Sequence, residues 1–169
     1  MAYRFEPLAK QHDRAAFRCA SAPLNAYLQQ FARKDAERHV AAAFVMVPVD
    51  APATIVGYYT LSAFTVELAE LPEAMGKKLP RYPRLPATLL GRLARDVKFP
   101  GTGALLLMDA LVRAHRKSAE IASLAVVADA KDAAALAFYR RFGFAPLGGG
   151  SNRVFLPMGT VAELVGKRD

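Results

Sequence analysis

The sequence contains a single cysteine, Cys19, and it lacks long apolar, repetitive or strongly biased tracts. One cysteine excludes an internal disulfide and a cysteine-rich zinc site, and it favours a reducing compartment. The lack of biased and repeated segments argues against disorder and against a repeat architecture. The longest apolar stretch, Ala41 to Val49, is interrupted by Pro48 and is too short to span a bilayer. We therefore expect a cytoplasmic protein with no signal peptide and no membrane role.

Patterns typical of metal binding and covalent catalysis are also missing. His12, His39 and His115 are the three histidines, and they have no metal-ligand spacing. The sequence shows no Ser-His-Asp or Cys-His arrangement of the kind that nucleophilic enzymes use. Cys19 fits the role of a small hydrophobic residue better than that of a nucleophile. The sequence therefore predicts no metal site and no covalent enzyme intermediate.

What remains is an ordinary globular composition with an excess of positive charge. The 169 residues are 53% apolar, enough for one sizeable core, so we predict a single domain over residues 1–169. The net charge of +8 favours a nucleic acid or a ligand with several phosphates as partner. Solubility alone is the alternative explanation of the charge.

Local patterns predict strands and helices mixed along the chain. Ser21-Ala22-Pro23 is typical of a helix start, and the four prolines between residues 71 and 87 predict a loop with at most one helical turn. The predicted strands cover residues 42–49, 54–62, 64–68, 89–95, 122–127 and 154–158. The predicted helices cover residues 22–38, 104–117, 133–142 and 161–165. This order indicates the α+β class, or three-layer α/β, around one sheet.

One segment of this order carries chemistry. The strand 89–95, the turn Lys98 to Gly103 and the helix 104–117 follow one another directly. Such a turn brings free backbone N–H groups and the positive end of a helix to one place, where phosphate oxygens bind. A Gly-x-Gly turn alone is weak evidence, because most such turns are ordinary tight turns.

Two motifs together resemble the GNAT superfamily of N-acetyltransferases. Lys98-Phe99-Pro100-Gly101-Thr102-Gly103 fits the superfamily pattern [Gln/Arg]-x-x-Gly-x-Gly/Ala except at Lys98. Ala137-Phe138-Tyr139-Arg140-Arg141-Phe142-Gly143-Phe144 matches its second signature, a helix with Phe-Tyr followed by a Gly-Phe entry into the next strand. The resemblance implies a GNAT fold, with a mixed central sheet flanked by helices, and acetyl-CoA as the acetyl donor.

Further segments resemble one branch, the acetyltransferase toxins of bacterial type II toxin–antitoxin systems, from about Phe17 to Met158. They are Phe17-Arg18-Cys19, Leu24-Asn25-Ala26-Tyr27-Leu28, Gly57-Tyr58-Tyr59-Thr60-Leu61-Ser62, Leu79-Pro80-Arg81-Tyr82-Pro83 and Leu89-Leu90-Gly91-Arg92-Leu93-Ala94-Arg95-Asp96. The resemblance implies acetylation of the α-amine of aminoacyl-tRNA, which blocks translation, and a ribbon-helix-helix antitoxin as partner; a homodimer is possible. The chain departs from the family after Gly103, where members usually have two more residues before the helix.

The resemblance and the chemistry of acetyl transfer assign the site residues. Acetyl transfer to an amine needs donors for an oxyanion and an acid for the departing thiolate. Tyr139 is the predicted acid, and core packing beside Phe138 and Phe142 is its alternative role. Acetyl-CoA would be held by the main chain of the strand residues Leu93, Ala94 and Arg95, by Lys98, Pro100, Gly101, Thr102, Gly103 and Ala104 at the turn, and by Phe138 of the second signature.

A basic segment next to this turn is a candidate RNA site. Residues 77–98 contain seven basic side chains and one acidic side chain, Asp96. Phosphate contacts with an RNA acceptor stem would use such a cluster. The candidate residues are Lys77, Lys78, Arg81, Arg84 and Arg92. Alternatively, Arg92, Arg95 and Lys98 contact only the phosphates of coenzyme A and the other side chains are simply solvated.

Three functions remain open from the sequence. An α-amine has a reference pKa of about 7.7–8.0, against about 10.4 for lysine, so an aminoacyl acceptor needs no strong general base. This slightly favours aminoacyl-tRNA over a protein lysine. The alternatives are a GNAT enzyme acting on a small amine or a protein, and a weakly active binding module that works with an antitoxin on DNA.

Overall fold

The computed structural model describes residues 1–149 and 152–166. The strands are β1 (Tyr3–Pro7), β2 (Ala42–Pro48), β3 (Gly57–Glu67), β4 (Arg84–Arg95), β5 (Ala125–Asp129), β6 (Ala145–Pro146) and β7 (Arg153–Pro157). The helices are α1 (Ala22–Gln30), α2 (Ala32–Glu37), α3 (Glu73–Gly76), α4 (Gly103–Lys117), α5 (Ala133–Arg141) and α6 (Met158–Gly166), and a 3₁₀ turn covers Leu68–Glu70.

Within these described ranges the strands form one mixed sheet of seven strands, in the order β1-β2-β3-β4-β5-β7-β6. β4 and β5 pair in parallel, whereas β1–β2, β2–β3, β5–β7 and β6–β7 pair antiparallel. This mixture of strands and helices confirms the predicted α+β class.

The chain divides into two compact units, Met1–Ser62 with Gly91–Ala110, and Ala63–Leu90 with Leu111–Asp169. The first unit has a buried core that includes Phe17, Leu28 and Tyr58. The second has a core that includes Leu85 and Phe155. A single domain over residues 1–169 stays a prediction.

The first predicted helix is two helices in the structure. The Ser21 hydroxyl accepts the N–H of Leu24 (3.4 Å) and so caps α1, as the sequence predicts. The Phe31 N–H still bonds to the Tyr27 carbonyl (2.9 Å), but Phe31 has non-helical backbone angles and α2 begins after it. The prediction of one continuous helix to residue 38 was therefore wrong at Phe31.

Two strand predictions also needed correction. The predicted strands 54–62 and 64–68 are a single strand, β3, because no turn interrupts the chain at Ala63. β4 begins at Arg84, inside the segment predicted to be a loop. Buried Leu85 and Ala87 alternate there with exposed Arg84 and Pro86, which is the period of a strand.

Gly57 permits a close approach that positions the end of β4. A Cβ atom at Gly57 would lie 2.9 Å from the carbonyl oxygen of Ala94 and would overlap the side chain of Leu106. Real Cβ contacts of this kind do not occur, so only glycine fits. β3 therefore begins directly against the last residues of β4 and the first turn of α4.

Candidate cofactor and substrate site

The turn between β4 and α4 is held by its own hydrogen bonds. Asp96, the residue after β4, is 1% exposed, and its Oδ1 accepts the N–H of Lys98 (2.9 Å). The Phe99 N–H donates to the Asp96 carbonyl oxygen (3.0 Å). The Thr102 hydroxyl then donates to the Phe99 carbonyl oxygen (2.7 Å). Hydrogen bonds within the chain thus define the shape of the turn.

The end of this turn exposes backbone donors. The Leu106 N–H donates to the Thr102 carbonyl oxygen (3.1 Å), which makes Thr102 the residue before the first turn of α4. The N–H groups of Gly103, Ala104 and Leu105 lie in that first turn and have no acceptor within their own helix. Gly101 has φ +83° and open space where a side chain would lie. Phosphate oxygens fit such a place.

The departure from the family pattern lies at the point where α4 begins. α4 starts at Gly103, so the shorter connection begins the helix at the second glycine of the turn. Lys98 and Pro100 are exposed beside it, and within residues 1–149 and 152–166 the Lys98 ammonium makes no ion pair. Contacts of these residues with acetyl-CoA stay predictions.

The last residues of β4 differ in exposure. Leu93 is half-buried, Ala94 is buried and Arg95 is exposed. The Arg95 guanidinium donates to the Asp96 carbonyl oxygen through Nη1 (3.4 Å). The main-chain roles that the sequence predicts for these three residues stay predictions.

Tyr139 lies in α5 with a buried ring and a hydroxyl that reaches solvent. The residue is 6% exposed, and its ring packs against Phe138 (centroids 5.6 Å apart) and Phe144 (5.2 Å). Every fully buried side-chain oxygen or nitrogen among the described residues has a hydrogen-bond partner. The Tyr139 hydroxyl has none in this part of the chain, so it is open to water.

The electrostatics of Tyr139 keep its phenol protonated. Burial, and secondarily the charge of Asp129, raise the pKa of Tyr139 well above its ordinary value. A phenol that stays protonated and reaches solvent can donate a proton. Phe138 is half-buried and its ring also contacts Phe142 (centroids 5.3 Å apart), so packing accounts for part of its role.

The basic loop before β4 is less positive than its sequence suggests. Lys77 pairs with Glu73 (3.4 Å), and Arg84 pairs with Glu67 (3.2 Å). Lys78 is exposed and makes no ion pair or hydrogen bond within the described residues. Arg81 is likewise without such a partner there, and it lines a cavity of about 590 Å³ beside Lys77 and the two glutamates. The cations can be counted in the sequence, but these two ion pairs depend on the fold.

Arg92 is half-buried and stacks on an aromatic ring of the first unit. Its guanidinium lies 3.5 Å from the centre of the Tyr27 ring, and the Tyr27 hydroxyl donates to Asp35 (2.7 Å). Burial first, and then the bond to Asp35, raise the pKa of Tyr27 to about 12. A cation stacked on an aromatic ring gains energy from that contact. A role of Arg92 in RNA binding stays a prediction.

The described residues contain neither a metal-binding cluster nor a membrane-spanning helix. Among the residues that the structure describes, no group of three or more His, Cys, Asp or Glu side chains is arranged to hold a metal ion. No helix in those same ranges has the length and apolarity to cross a membrane.

Sequence comparison with known proteins finds a similar toxin. The chain is 30% identical to "Probable toxin TacT" of Sinorhizobium fredii over 171 aligned positions, which cover 95% of this chain and 94% of the relative. No protein-family model matches the chain.

Three solved structures are similar along nearly the whole chain, each with 28% sequence identity. A tyrosine-to-phenylalanine mutant of KacT matches with a TM-score of 0.90, covering 97% of this chain and 99% of KacT. AtaT complexed with acetyl-methionyl-tRNAfMet matches with a TM-score of 0.89 over 96% of this chain and 99% of AtaT. A chain of AtaTR bound with AcCoA matches with a TM-score of 0.83 over 96% of this chain and 97% of that chain.

Proposed function

The chain belongs to the GNAT-fold acetyltransferase toxins of toxin–antitoxin systems, and we propose from this premise that it transfers acetyl from acetyl-CoA to the α-amine of an aminoacyl-tRNA. The observation that carries the proposal is the full-length similarity to AtaT, whose structure contains acetyl-methionyl-tRNAfMet. The toxic effect would be a block of translation, because an acetylated α-amine can no longer attack a peptidyl ester. The site of action would be the cytoplasm, where charged tRNA is found.

The turn between β4 and α4 fits acetyl-CoA, which supplies an activated acetyl thioester when bound. The first-turn N–H groups of α4, from Gly103 and Ala104, would bind the diphosphate, and the open space at Gly101 lets the ligand approach the backbone. Lys98 is exposed beside them and would contribute a charge. The main chain from Leu93 to Arg95 would hold the pantetheine arm as an added strand does.

Tyr139 would act as the general acid. Its phenol is held protonated by burial, and its hydroxyl reaches solvent without a competing partner among the described residues. Donation of this proton to the departing coenzyme A thiolate would speed the collapse to products. The raised pKa follows from burial and would be shared by a core-packing tyrosine, so the unpartnered hydroxyl is the feature that favours the catalytic role.

The acceptor amine needs little help from the protein. The α-amine of an aminoacyl group has a reference pKa of about 7.7–8.0, so a substantial fraction is neutral near pH 7.5. A strong general base is therefore not required. This chemistry suits an aminoacyl ester better than a lysine side chain.

The basic loop would contact tRNA phosphates. Lys78 and Arg81 lack ion-pair partners among the described residues, whereas Lys77 and Arg84 must leave Glu73 and Glu67 first. Exposed ion pairs are worth only about 0–1 kcal/mol, so both can open. All four are candidates, and Lys78 and Arg81 should contribute most.

Charged tRNA acetylation by two matched quadruple-alanine variants tests the proposal. The loop variant replaces Lys77, Lys78, Arg81 and Arg84; the control replaces Lys10, Arg38, Arg116 and Lys117, which are exposed elsewhere. Both lower the net charge equally, from +8 by four charges. Only the loop variant should lose tRNA acetylation at 0.15 M salt, where Debye screening at about 8 Å leaves close contacts effective.

Salt dependence gives a second readout of the same pair of variants. Each lost phosphate contact should reduce the slope of log affinity against log salt by roughly 0.7 to 0.9. Acetyl-CoA affinity should be unchanged in both variants. Equal tRNA acetylation by wild type and loop variant would refute the RNA role of the loop, and acetylation of small amines alone would replace tRNA as the substrate.

A protein antitoxin of the ribbon-helix-helix class is the partner that we propose, because the family consists of toxins from toxin–antitoxin systems. A homodimer is a further proposal. Expression of the chain alone should arrest growth, and co-expression with a small protein encoded beside it should relieve the arrest. Growth arrest that persists during co-expression of each neighbouring reading frame would contradict the proposal of an antitoxin partner.

A further inference from the structure

We propose that Asp96 is a positioning residue for acetyl-CoA, whose buried carboxylate fixes the turn that presents the first amides of α4. The inference rests on the proposed function, because it concerns the same turn. Asp96 stands directly after β4 and is 1% exposed, although it is the one acidic residue in the basic segment 77–98. Burial of a charge away from water costs free energy, so a buried carboxylate needs hydrogen-bond donors around it.

The two carboxylate oxygens hold two different segments of the chain. Oδ1 accepts the N–H of Lys98 (2.9 Å), two residues ahead in the turn. Oδ2 accepts the N–H of Arg18 (3.0 Å) from the segment before α1. The Val97 N–H returns a bond to the Arg18 carbonyl oxygen (2.9 Å). The carboxylate thus holds the turn at Lys98 and connects it to the segment before α1 that contains Arg18.

Further hydrogen bonds continue this connection from β3 to α4. The Asp96 N–H donates to the carbonyl oxygen of Val56 (2.7 Å), the residue before β3. The Asp96 carbonyl accepts the Phe99 N–H (3.0 Å), and the Phe99 carbonyl accepts the Thr102 hydroxyl (2.7 Å). Two consecutive links, from Asp96 to Phe99 and from Phe99 to Thr102, therefore connect Asp96 with the residue before the first amides of α4.

Charge and position predict opposite effects when Asp96 becomes asparagine. A carboxylate near a diphosphate repels it, so charge alone predicts that Asp96→Asn strengthens acetyl-CoA binding. An asparagine amide offers one acceptor oxygen, so its NH₂ group would face either the Lys98 or the Arg18 N–H. Loss of that bond frees the turn, so the positioning role predicts weaker binding.

The test compares Asp96→Asn with Asp13→Asn. Asp13 is exposed and accepts the N–H of Ala16 (3.2 Å), so it matches the charge and the backbone bond away from the turn. Calorimetry should show acetyl-CoA binding about 10- to 100-fold weaker in Asp96→Asn, the loss expected for a charged hydrogen bond, and unchanged in Asp13→Asn. Amide exchange at Lys98 in the ligand-free protein should also become faster.

S-acetylpantetheine, which has the thioester but no diphosphate, distinguishes positioning from general damage. Its kcat/KM in Asp96→Asn should stay within about twofold of wild type, whereas that of acetyl-CoA falls with the affinity. Thr102→Val, which removes the hydroxyl bond to Phe99, should give the same split, and it decides the question if Asp96→Asn does not fold.

Three outcomes would overturn the inference. They are unchanged or tighter acetyl-CoA binding by Asp96→Asn, an equal loss with S-acetylpantetheine, and a Thr102→Val variant without the split when Asp96→Asn does not fold. If wild type binds no acetyl-CoA, the proposed function fails and the inference fails with it. Binding by wild type that Asp96→Asn leaves intact refutes the inference alone.

Discussion

Replacement of Tyr139 by phenylalanine should remove catalysis and leave folding intact. The change deletes one oxygen atom from a ring that is otherwise packed between Phe138 and Phe144. The deleted hydroxyl has no hydrogen-bond partner among the described residues, so no bond is lost. We expect the free energy of unfolding to change by no more than about 0.5 kcal/mol, the usual range for a change that breaks no contact.

The effect on rate should be large by comparison. A positioned general acid contributes about 10²- to 10⁴-fold, so kcat of Tyr139→Phe should fall within that range. Acetyl-CoA affinity should stay within about twofold of wild type, because the loss occurs only when the thiolate departs. Tyr3→Phe is the matched control, since Tyr3 is half-buried in β1 and also has no hydroxyl partner in the described chain.

Stopped-flow detection of free coenzyme A thiol measures the rate, and urea unfolding measures stability. Because burial holds the pKa of Tyr139 above its ordinary value, wild type should lose no rate through ionisation of this phenol up to pH 9. A Tyr139→Phe rate within twofold of wild type would return Tyr139 to core packing. A large loss of stability would show a structural contact that the reasoning missed.

Three further predictions concern the fold, the ligand and pH. Gly57→Ala should destabilise the protein by about 1–3 kcal/mol by overpacking, whereas Gly159→Ala, in open space on α6, should not; urea unfolding that shows equal stability would contradict this. Acetyl-CoA at a hundred times its Kd should stabilise the protein by about 2.7 kcal/mol, and Gly103→Asp should abolish the shift; an unchanged wild-type Tm would refute binding. Burial raises the pKa values of Tyr139 and Tyr27, to about 12 for Tyr27, so their stabilisation is complete below the unfolded value near 10 and is lost as pH rises above it. Unfolding free energy should therefore decline above pH 10, and less in Tyr139→Phe; a flat profile would contradict the shifts.

Much of the fold follows from local pattern in this sequence. The helix α4 was predicted to start at Ala104, and it starts at Gly103. It could be predicted because its apolar residues recur at helical spacing. Ser21 caps α1 as its residue type indicates. β1 was not predicted, since five residues near the terminus carry little alternation of their own. Its pairing with β2 forms the strand, and such pairing is a tertiary effect.

Part of the candidate site could likewise be predicted from the sequence, and part of it depends on the fold. The turn from Lys98 to Gly103 was found from its motif, because its glycines and its place after a strand are local features. The ion pair of Arg84 with Glu67 joins residues 17 positions apart and depends on the fold. The stacking of Arg92 on Tyr27 depends on it likewise. Asp96 was visible as a lone acid before the turn, which is typical of an Asx turn, but its contact with Arg18 was not.

The mass of the aminoacyl adenosine released from tRNA tests the central claim most directly. Charged tRNAs would be incubated with acetyl-CoA and either wild type or Tyr139→Phe, then digested with nuclease and analysed by mass spectrometry. We predict that wild type adds one acetyl group to the α-amine of at least one aminoacyl adenosine, and that Tyr139→Phe adds far less. No acetylated aminoacyl adenosine from any charged tRNA, with a wild-type protein that binds acetyl-CoA, would contradict the account.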